Sequence, residues 1–349
     1  MRPPSGRAFR TSRLKTALAG AALAAAIAAL PLPMWAQDTP RFGLPADCEV
    51  GTTCTVQNYF DADPGPEAHD YTCGFLTYDR HSGIDFRVAN LADMRRGVTV
   101  VAAAQGRVRG VRDGMDDTGL GGGAAAVRRR ECGNGVLIDH GAGWESQYCH
   151  MMKDSVTVAT GDTVEAGAVL GKIGMSGLAE FPHVHFEVRF GGVSVDPLIG
   201  AGVPENCGGP RTPLMTPVAL EALAYRSAGL LNAGFSPSRP RSAEVLSGQH
   251  QAKFAAASSE TLFFWIEIFG IRPGDRELFR VIAPGGAVLI EERLDGPDTH
   301  KAQWLRFVDK RRLSPAWPRG TYRGEYLLER REGGVWTTVL EFSRTVEVR

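Results

Sequence analysis

Two short histidine motifs, roughly a hundred residues apart, carry the side chains best suited to chemistry in this chain. Residues 81–86 read HSGIDF, and residues 183–189 read HVHFEVR. Together they offer imidazoles and a carboxylate, which are groups that a divalent metal accepts as ligands. Because a catalytic zinc site needs three protein ligands and one open position, the two motifs are candidates for such a site.

The second motif has the alternation of a β-strand. Successive side chains of a strand point to opposite faces, so one face here is apolar and the other carries His183, His185, Glu187 and Arg189. His183 and His185 would lie on the same side, roughly 6.5 Å apart along the strand. This spacing leaves two alternatives open: both imidazoles bind one metal, or one binds while the other acts beside it.

In the first motif, the candidate ligands His81 and Asp85 are four residues apart in sequence. A flat strand would hold them roughly 13 Å apart, which is too far for one ion. A helix would bring them together, but Ser82, Gly83 and Ile84 are poor helix formers. A bend at Gly83 would also let the two side chains converge. The alternative is a surface turn that carries an unrelated histidine and aspartate.

A further histidine, His150, follows a predicted hairpin that turns near residues 140–143. If His150 faces the metal, strand alternation places Cys149 on the opposite face and Tyr148 on the same face. A Cys–His nucleophilic pair is then not expected. Cys149 is free to form a disulfide, and Tyr148 is expected to support the site.

The pattern of short strands predicts an all-β protein. From about residue 72 to residue 204, β-branched runs alternate with glycine turns and no long amphipathic helix appears, which is typical of an antiparallel β domain. A stretch rich in Pro and Gly follows, and then seven or so strand-like runs whose spacing predicts a β-sandwich. The expected organisation is a leader at 1–36, a strap at 37–70, a metal-site domain at 71–204, a linker at 205–217 and a C-terminal β-sandwich at 218–349.

The amino end has the pattern of a secretory signal peptide. Residues 1–15 contain five basic and no acidic residues, and residues 16–36 are uncharged and rich in Ala and Leu. We expect cleavage after Ala36 and a location in the periplasm or outside the cell, with no membrane association after cleavage. The alternative is an uncleaved membrane anchor. Without the leader, 34 basic residues face 39 acidic ones, a balance that argues against nucleic acid as a partner.

The chain has six cysteines, and none of them forms a Cys-x-x-Cys motif. An even number in an exported chain predicts disulfides rather than a thiolate zinc site. One pair would join the two arms of the predicted hairpin, a second would close a short loop, and the third would join the two remaining cysteines near the ends of the metal-site domain. The expected pairs are Cys132–Cys149, Cys48–Cys54 and Cys73–Cys207.

These motifs resemble those of the LytM/lysostaphin-type zinc endopeptidases, a family that cuts peptide cross-links of bacterial peptidoglycan. The family pattern His-x-x-x-Asp matches His81 and Asp85, its His-x-His followed by Phe-Glu matches residues 183–187, and its Tyr-x-His matches Tyr148 and His150. The glycine spacing agrees as well, and the resemblance covers about residues 73–198.

The resemblance implies one zinc ion per chain, bound by His81, Asp85 and His185, while His150 and His183 serve the reaction. The implied activity is hydrolysis of peptide bonds in peptidoglycan stem or cross-link peptides by a zinc-activated water. In one departure, residues 179–182 read AEFP where the family usually has Ser-Thr-Gly-Pro. Because this loop borders the site, the departure concerns substrate preference.

Two other function classes remain open: a non-enzymatic cell-wall regulator that activates amidases, and a wall-binding protein whose functional part is the sandwich. The complete ligand set favours the enzyme. Phe181 and the glycine-rich loop at 119–123 are expected at the edges of the substrate slot. Since the sandwich carries no chemical motif, and no partner for it is indicated, we expect that its removal from about residue 215 leaves peptide cleavage and weakens action on intact wall.

Overall fold

The computed structural model describes Met1 and residues 39–200, 207–209, 211–250 and 254–349. The predicted signal peptide beyond Met1, its cleavage site, and part of the predicted linker lie outside the described residues. Within the described part, no helix is long and apolar enough to cross a membrane.

An antiparallel sheet of eight strands carries both histidine motifs. Its strands are β1 Thr55–Asn58, β2 Ile84–Arg87, β4 Gly106–Arg112, β5 Asn134–Gly141, β6 Trp144–Met151, β7 Thr163–Val164, β9 His183–Phe190 and β10 Val193–Val195. Their order is β1-β2-β9-β6-β5-β4-β7, with β10 beside β9. We call this the metal-site sheet. A separate pair is formed by β3 Thr99–Val101 and β8 Val169–Lys172.

The remaining strands form two further sheets that face each other. One contains β11 Gly229–Ser236, β13 Thr261–Phe269 and β16 Trp304–Arg311, in that order. The other has the order β12-β18-β17-β14-β15, with bounds Phe254–Ala255, Val335–Val348, Gly320–Glu332, Arg276–Ile282 and Val288–Asp295. The rings of Phe264 and Phe279 meet edge to face between the two sheets, at 6.0 Å. This is the C-terminal sandwich, and the all-β prediction is confirmed.

Among the described residues, three short α-helices connect these strands: α1 Leu91–Arg96, α2 Pro217–Ala222 and α3 Ser242–Ser247. Asn90 caps the amino end of helix α1, and its buried Oδ1 accepts hydrogen bonds from the backbone N–H groups of Ala92 and Asp93. These two bonds satisfy donors that a helix leaves without partners at its first turn.

The start of the strap is packed against the segment that leads into the sandwich. Phe42 donates its backbone N–H to the carbonyl of Leu214 and accepts from the N–H of Thr216. Its ring is fully buried and lies 6.0 Å from that of Phe186 in β9. Leu231 of the sandwich belongs to the same hydrophobic cluster. Residues Gln37–Arg349 accordingly form one compact unit.

All six cysteines are paired, and the pairs are those that the sequence argument selected. The Cys48–Cys54 disulfide closes a loop directly before β1. The Cys132–Cys149 disulfide joins β6 to the residues before β5. The Cys73–Cys207 disulfide ties the strap to the chain beyond the metal-site sheet, across a sequence separation of 134 residues.

Asp196, just after β10, is a buried carboxyl with incomplete hydrogen bonding. Its Oδ1 accepts from the backbone N–H of Leu198 at 2.8 Å, whereas Oδ2 has no hydrogen-bond partner among the described residues. Burial raises the pKa of Asp196 to about 7. In the unfolded chain, an aspartate ionises near pH 4. Between these pH values the folded state holds the extra proton, so this residue lowers the free energy of unfolding as pH rises towards 7.

The substitution Asp196→Asn is expected to remove this pH dependence, because an amide keeps the acceptor for Leu198 and does not ionise. The free energy of unfolding of the variant relative to the original protein should rise between pH 5 and pH 8, by about 3 kcal/mol. Denaturant melts of both proteins at the two pH values measure the difference. A stability difference that is the same at both values would contradict the assignment.

Candidate metal centre

Three side chains from two neighbouring strands and the bend before them converge on one point. His81 Nε2 lies 3.1 Å from Asp85 Oδ1 and 3.1 Å from His185 Nδ1, and the last two atoms are 2.9 Å apart. They form a group of the kind that could hold a metal ion. Ligand atoms about 2.0–2.2 Å from one zinc ion lie about 3.3 Å apart in a tetrahedron. The observed separations therefore fit a small divalent metal with nitrogen and oxygen ligands.

The convergence of His81 and Asp85 depends on a bend at Gly83, as the sequence suggested. A Cβ atom added there would collide with the backbone oxygen of Phe186 and with the ring of His185. Only glycine fits this close approach. Strand β2 then pairs with β9 in a register that places Asp85 directly opposite His185. The bend and the register together bring the three ligands to one face of the sheet.

The strap supplies hydrogen bonds that orient two of the ligands. His81 Nδ1 donates to the carbonyl of Tyr59 at 2.6 Å, which leaves the lone pair of Nε2 directed at the site. Asn58 Nδ2 donates to Asp85 Oδ2 at 2.9 Å, which leaves Oδ1 directed at the site. Sequence reasoning missed both contacts, because the strap shows little periodic pattern and Asn58 stands outside every motif.

The charges of Asp85 and His81 affect each other's pKa. Burial alone would raise the pKa of Asp85, but the neighbouring imidazoles of His81 and His183 outweigh burial and hold the pKa well below its ordinary value. Burial likewise acts to lower the pKa of His81, and the Asp85 carboxylate reverses that effect and raises it. A buried ionised carboxylate thus attracts positive charge to this point, and a divalent cation bound there would satisfy it.

His150 and His183 stand beside the three ligands. Their ring centroids are 4.5 Å apart, and His183 Nε2 is 3.6 Å from Asp85 Oδ1. Each ring donates its Nδ1–H to a backbone carbonyl at 2.8 Å, that of Ser176 for His150 and that of Phe181 for His183. Burial lowers the pKa of both rings, and lowers that of His150 the more strongly. Burial therefore favours the neutral form of both rings, in which Nε2 can accept a proton.

The prediction that Tyr148 faces the metal group and Cys149 the opposite side of β6 was wrong. Cys149 pairs with His185 and so lies on the metal side of the sheet, while Tyr148 pairs with Phe186 and lies in the core. The Tyr148 hydroxyl accepts from the backbone N–H of Ala103 and does not reach the metal group. His150 nevertheless faces the site because its backbone is left-handed, with φ of 62°. This conformation is uncommon for a residue with a side chain, and it reverses the alternation at that residue.

The expected edges of the slot are partly corrected. Phe181 is buried, with its ring 4.7 Å from that of His183, so it lies behind the site and not at its edge. The glycine-rich loop does border the 179–182 loop, since the backbone N–H of Leu120 donates to the carbonyl of Ala179. Tyr78, about half exposed, places its ring 4.5 Å from that of His81 and forms part of the mouth of the site.

This arrangement of ligands and histidines can be compared with known proteins. Residues 79–197 match the model of peptidase family M23. This segment is an M23 peptidase domain. The matched range contains all three candidate ligands and both accompanying histidines. The sandwich lies outside it.

Curated relatives match the same part of the chain. An uncharacterized metalloprotease of Haemophilus influenzae is 31% identical over 118 residues, which are 34% of this chain and 20% of that protein. The DD-carboxypeptidase/endopeptidase Mpg of Neisseria meningitidis is 29% identical over 122 residues, which are 35% of this chain and 23% of that protein. The matches thus span about a fifth of the length of these relatives.

Solved structures that match part of this chain include the catalytic domain of the M23 protein EnpA from Enterococcus faecalis. It is 26% identical, with a TM-score of 0.31, and the match covers 47% of this chain and 98% of that domain. The catalytic domain of lysostaphin from Staphylococcus simulans is 23% identical, with a TM-score of 0.26, and the match covers 40% of this chain and 86% of that domain.

The ligand assignment predicts different outcomes for ligands and their neighbours. His185→Ala and Asp85→Ala should each abolish metal retention, because an open site with three ligands has none to spare. His150→Ala should keep the metal and lose about 10²–10⁴-fold in activity. Elemental analysis of desalted protein measures the first, and peptide cleavage the second. Full metal content in His185→Ala would refute the ligand set.

The strap contact predicts a change in metal affinity without loss of a ligand. Asn58→Ala leaves Asp85 Oδ2 without its donor, so the metal dissociation constant should rise about 10–100-fold. The matched control is Asn90→Ala, which removes another buried asparagine, at the start of α1, and should lower stability while leaving metal affinity unchanged. Competition titration with a chromogenic chelator measures both. Equal affinities for the two variants would count against an orienting role of Asn58.

Proposed function

We propose that this protein is a secreted zinc metalloendopeptidase that hydrolyses peptide bonds in peptidoglycan stem or cross-link peptides. The observation that carries the proposal is the meeting of three candidate ligands with two buried histidines on one face of an M23 domain. A purely structural metal site closes its coordination with four protein ligands. This one presents three, with the imidazoles of His150 and His183 beside them.

The residues that would hold zinc are His81 through Nε2, Asp85 through Oδ1 and His185 through Nδ1. These donors suit zinc, which is commonly bound by imidazole and carboxylate. When bound, the ion supplies Lewis acidity, which lowers the pKa of a water molecule to about 7 and polarises a peptide carbonyl.

His150 and His183 carry out the proton transfers. Because their Nδ1–H groups are held by backbone carbonyls, Nε2 of each ring is the atom that faces the reaction. One imidazole takes the proton of the attacking water and then delivers it to the leaving amine nitrogen. The other imidazole faces the oxygen that gains negative charge at the scissile carbon.

The substrate class is supported by relatives and by shape. One relative is named a DD-carboxypeptidase/endopeptidase, and the export signal of this chain would place it where the wall is. A further relative is an outer membrane antigenic lipoprotein of Haemophilus influenzae, 35% identical over 103 residues. Ligands that lie on the face of a sheet, bordered by the 179–182 loop and Tyr78, suit a thin, extended peptide better than a folded protein.

The proposal includes export and domain roles. The leader at 1–36 directs the chain to the periplasm or beyond, the 71–204 domain performs the hydrolysis, and the 218–349 domain is the C-terminal sandwich. The strap at 37–70 contributes to the hydrolytic domain through Asn58 and Tyr59, which contact the candidate ligands.

Digestion of purified wall material tests the activity. We expect cross-linked peptidoglycan fragments to be cleaved at a peptide bond, with loss of cleavage on chelation and recovery on addition of zinc. Casein at the same enzyme concentration should be untouched. Mass analysis of the fragments identifies the bond, and His150→Ala with its metal retained is the matched inactive control.

Two outcomes would reject the proposal. Efficient cleavage of casein beside intact wall fragments would indicate a general protease. Failure on both substrates with zinc bound would favour the non-enzymatic regulator.

A further inference from the structure

One fully buried arginine links the metal-site sheet to the C-terminal sandwich. Arg87 is the last residue of β2, and its register partner in β9 is His183. Its Nη2 lies 3.3 Å from Glu267 Oε2 in β13 of the sandwich, and its Nη1 donates to Gln303 Oε1 at 3.1 Å and to Gln57 Oε1 at 2.7 Å. The side chains of Arg87 and Glu267 are 1% and 0% exposed.

The guanidinium of Arg87 also contacts Phe181, the residue that holds the ring of His183. Its central carbon lies 4.6 Å from the centre of the Phe181 ring. That ring lies 4.7 Å from the ring of His183, and the Phe181 carbonyl accepts the Nδ1–H of His183 at 2.8 Å. The 179–182 loop is also bound to the end of β2, because Val88, the residue after Arg87, donates its N–H to the Pro182 carbonyl.

The position of Arg87 therefore depends on a carboxylate that the sandwich provides. A buried guanidinium needs a counter-charge and filled hydrogen bonds, since water cannot solvate it. Glu267 supplies the charge and is itself held by Gln303, whose Nε2 donates to Glu267 Oε1. The strap adds a further contact from Gln57 to the Ala302 carbonyl of the sandwich.

We propose that Glu267 of the C-terminal sandwich is a positioning residue for the reaction, and that it holds His183 in place through Arg87 and Phe181. The proposal rests on the proposed peptidase function and gives the sandwich a part in it. In contrast to the expectation from the sequence, it predicts that removal of the sandwich lowers peptide cleavage. Deletion of the sandwich would remove Glu267 and leave the charge of Arg87 without its counter-charge, next to the Phe181 ring that contacts His183.

The kinetic test uses the full, zinc-loaded chain with Glu267→Gln. Glu277→Gln is the matched control, because Glu277 is an equally buried glutamate of the same sandwich, bound to Tyr326, Trp304 and Arg306 rather than to the metal-site sheet. In Glu267→Gln, kcat should fall about 10–100-fold, as expected for a small misplacement of a catalytic group. KM and zinc content should stay as in the original protein. Glu277→Gln should change neither constant.

A second readout does not depend on activity. Hydrogen–deuterium exchange of residues 178–188, followed by mass spectrometry, should become about tenfold faster in Glu267→Gln and stay unchanged in Glu277→Gln. The Arg87→Gln and Glu267→Gln substitutions should be non-additive, with the double variant no worse than Arg87→Gln alone. If Glu267→Gln does not fold, Phe181→Leu interrupts the same path on the other side of Arg87 and should reproduce the loss of kcat.

Two results would overturn the proposal. One is unchanged exchange in residues 178–188 of Glu267→Gln, or of Phe181→Leu where that variant replaces it. The other is an equal fall in kcat for Glu267→Gln and Glu277→Gln, which would indicate general weakening of the sandwich. If the original protein cleaves no peptide, the proposed function fails, while the exchange data still decide whether Glu267 holds the 178–188 segment.

Discussion

A carboxylate that is cut off from water needs positive charge and hydrogen-bond donors close to it, and Asp85 is that group in this protein. Asn58 donates a hydrogen bond to one of its oxygens, and the imidazoles of His81 and His185 face the other. The bend at Gly83, the register of β2 against β9 and the course of the strap together bring these groups to one carboxylate. The same buried charge makes the position attractive to a divalent cation.

The site also depends on backbone that departs from regular strand geometry. His150 reaches the metal face from a strand position that would otherwise point into the core, and its left-handed φ makes the difference. Its N–H donates to the Cys132 carbonyl, and the Cys132–Cys149 disulfide fixes the residue directly before it. A conformation of this kind persists where its surroundings hold it in place. Here the disulfide and the hydrogen bond from His150 to Ser176 provide that support.

Much of this could be predicted from the sequence, because the chemistry is carried by local motifs. The His81 and Asp85 motif, the strand at residue 183 and the all-β pattern are all encoded within a few residues. The strap contact at Asn58 and the pairing of Arg87 with Glu267 were not predicted, since each joins residues far apart in an otherwise uninformative sequence context. The faces of β6 were mispredicted because alternation assumes a regular strand, and nothing in the residue types marks His150 as left-handed.

The contact between Phe42 and the segment at 214–216 has a consequence for how the molecule assembles. In a chain synthesised amino end first, Phe42 of the strap is made early. Its hydrogen-bond partners Leu214 and Thr216 follow only after more than 170 further residues. The Cys73–Cys207 bond requires 134 further residues, and the contact of Arg87 with Glu267 requires 180. Contacts of such high sequence separation form late and slow the completion of a fold. A chain built in this way completes the surroundings of its candidate metal centre only after most of its length is available to fold, so an unfinished chain holds the ligands without the contacts that fix them.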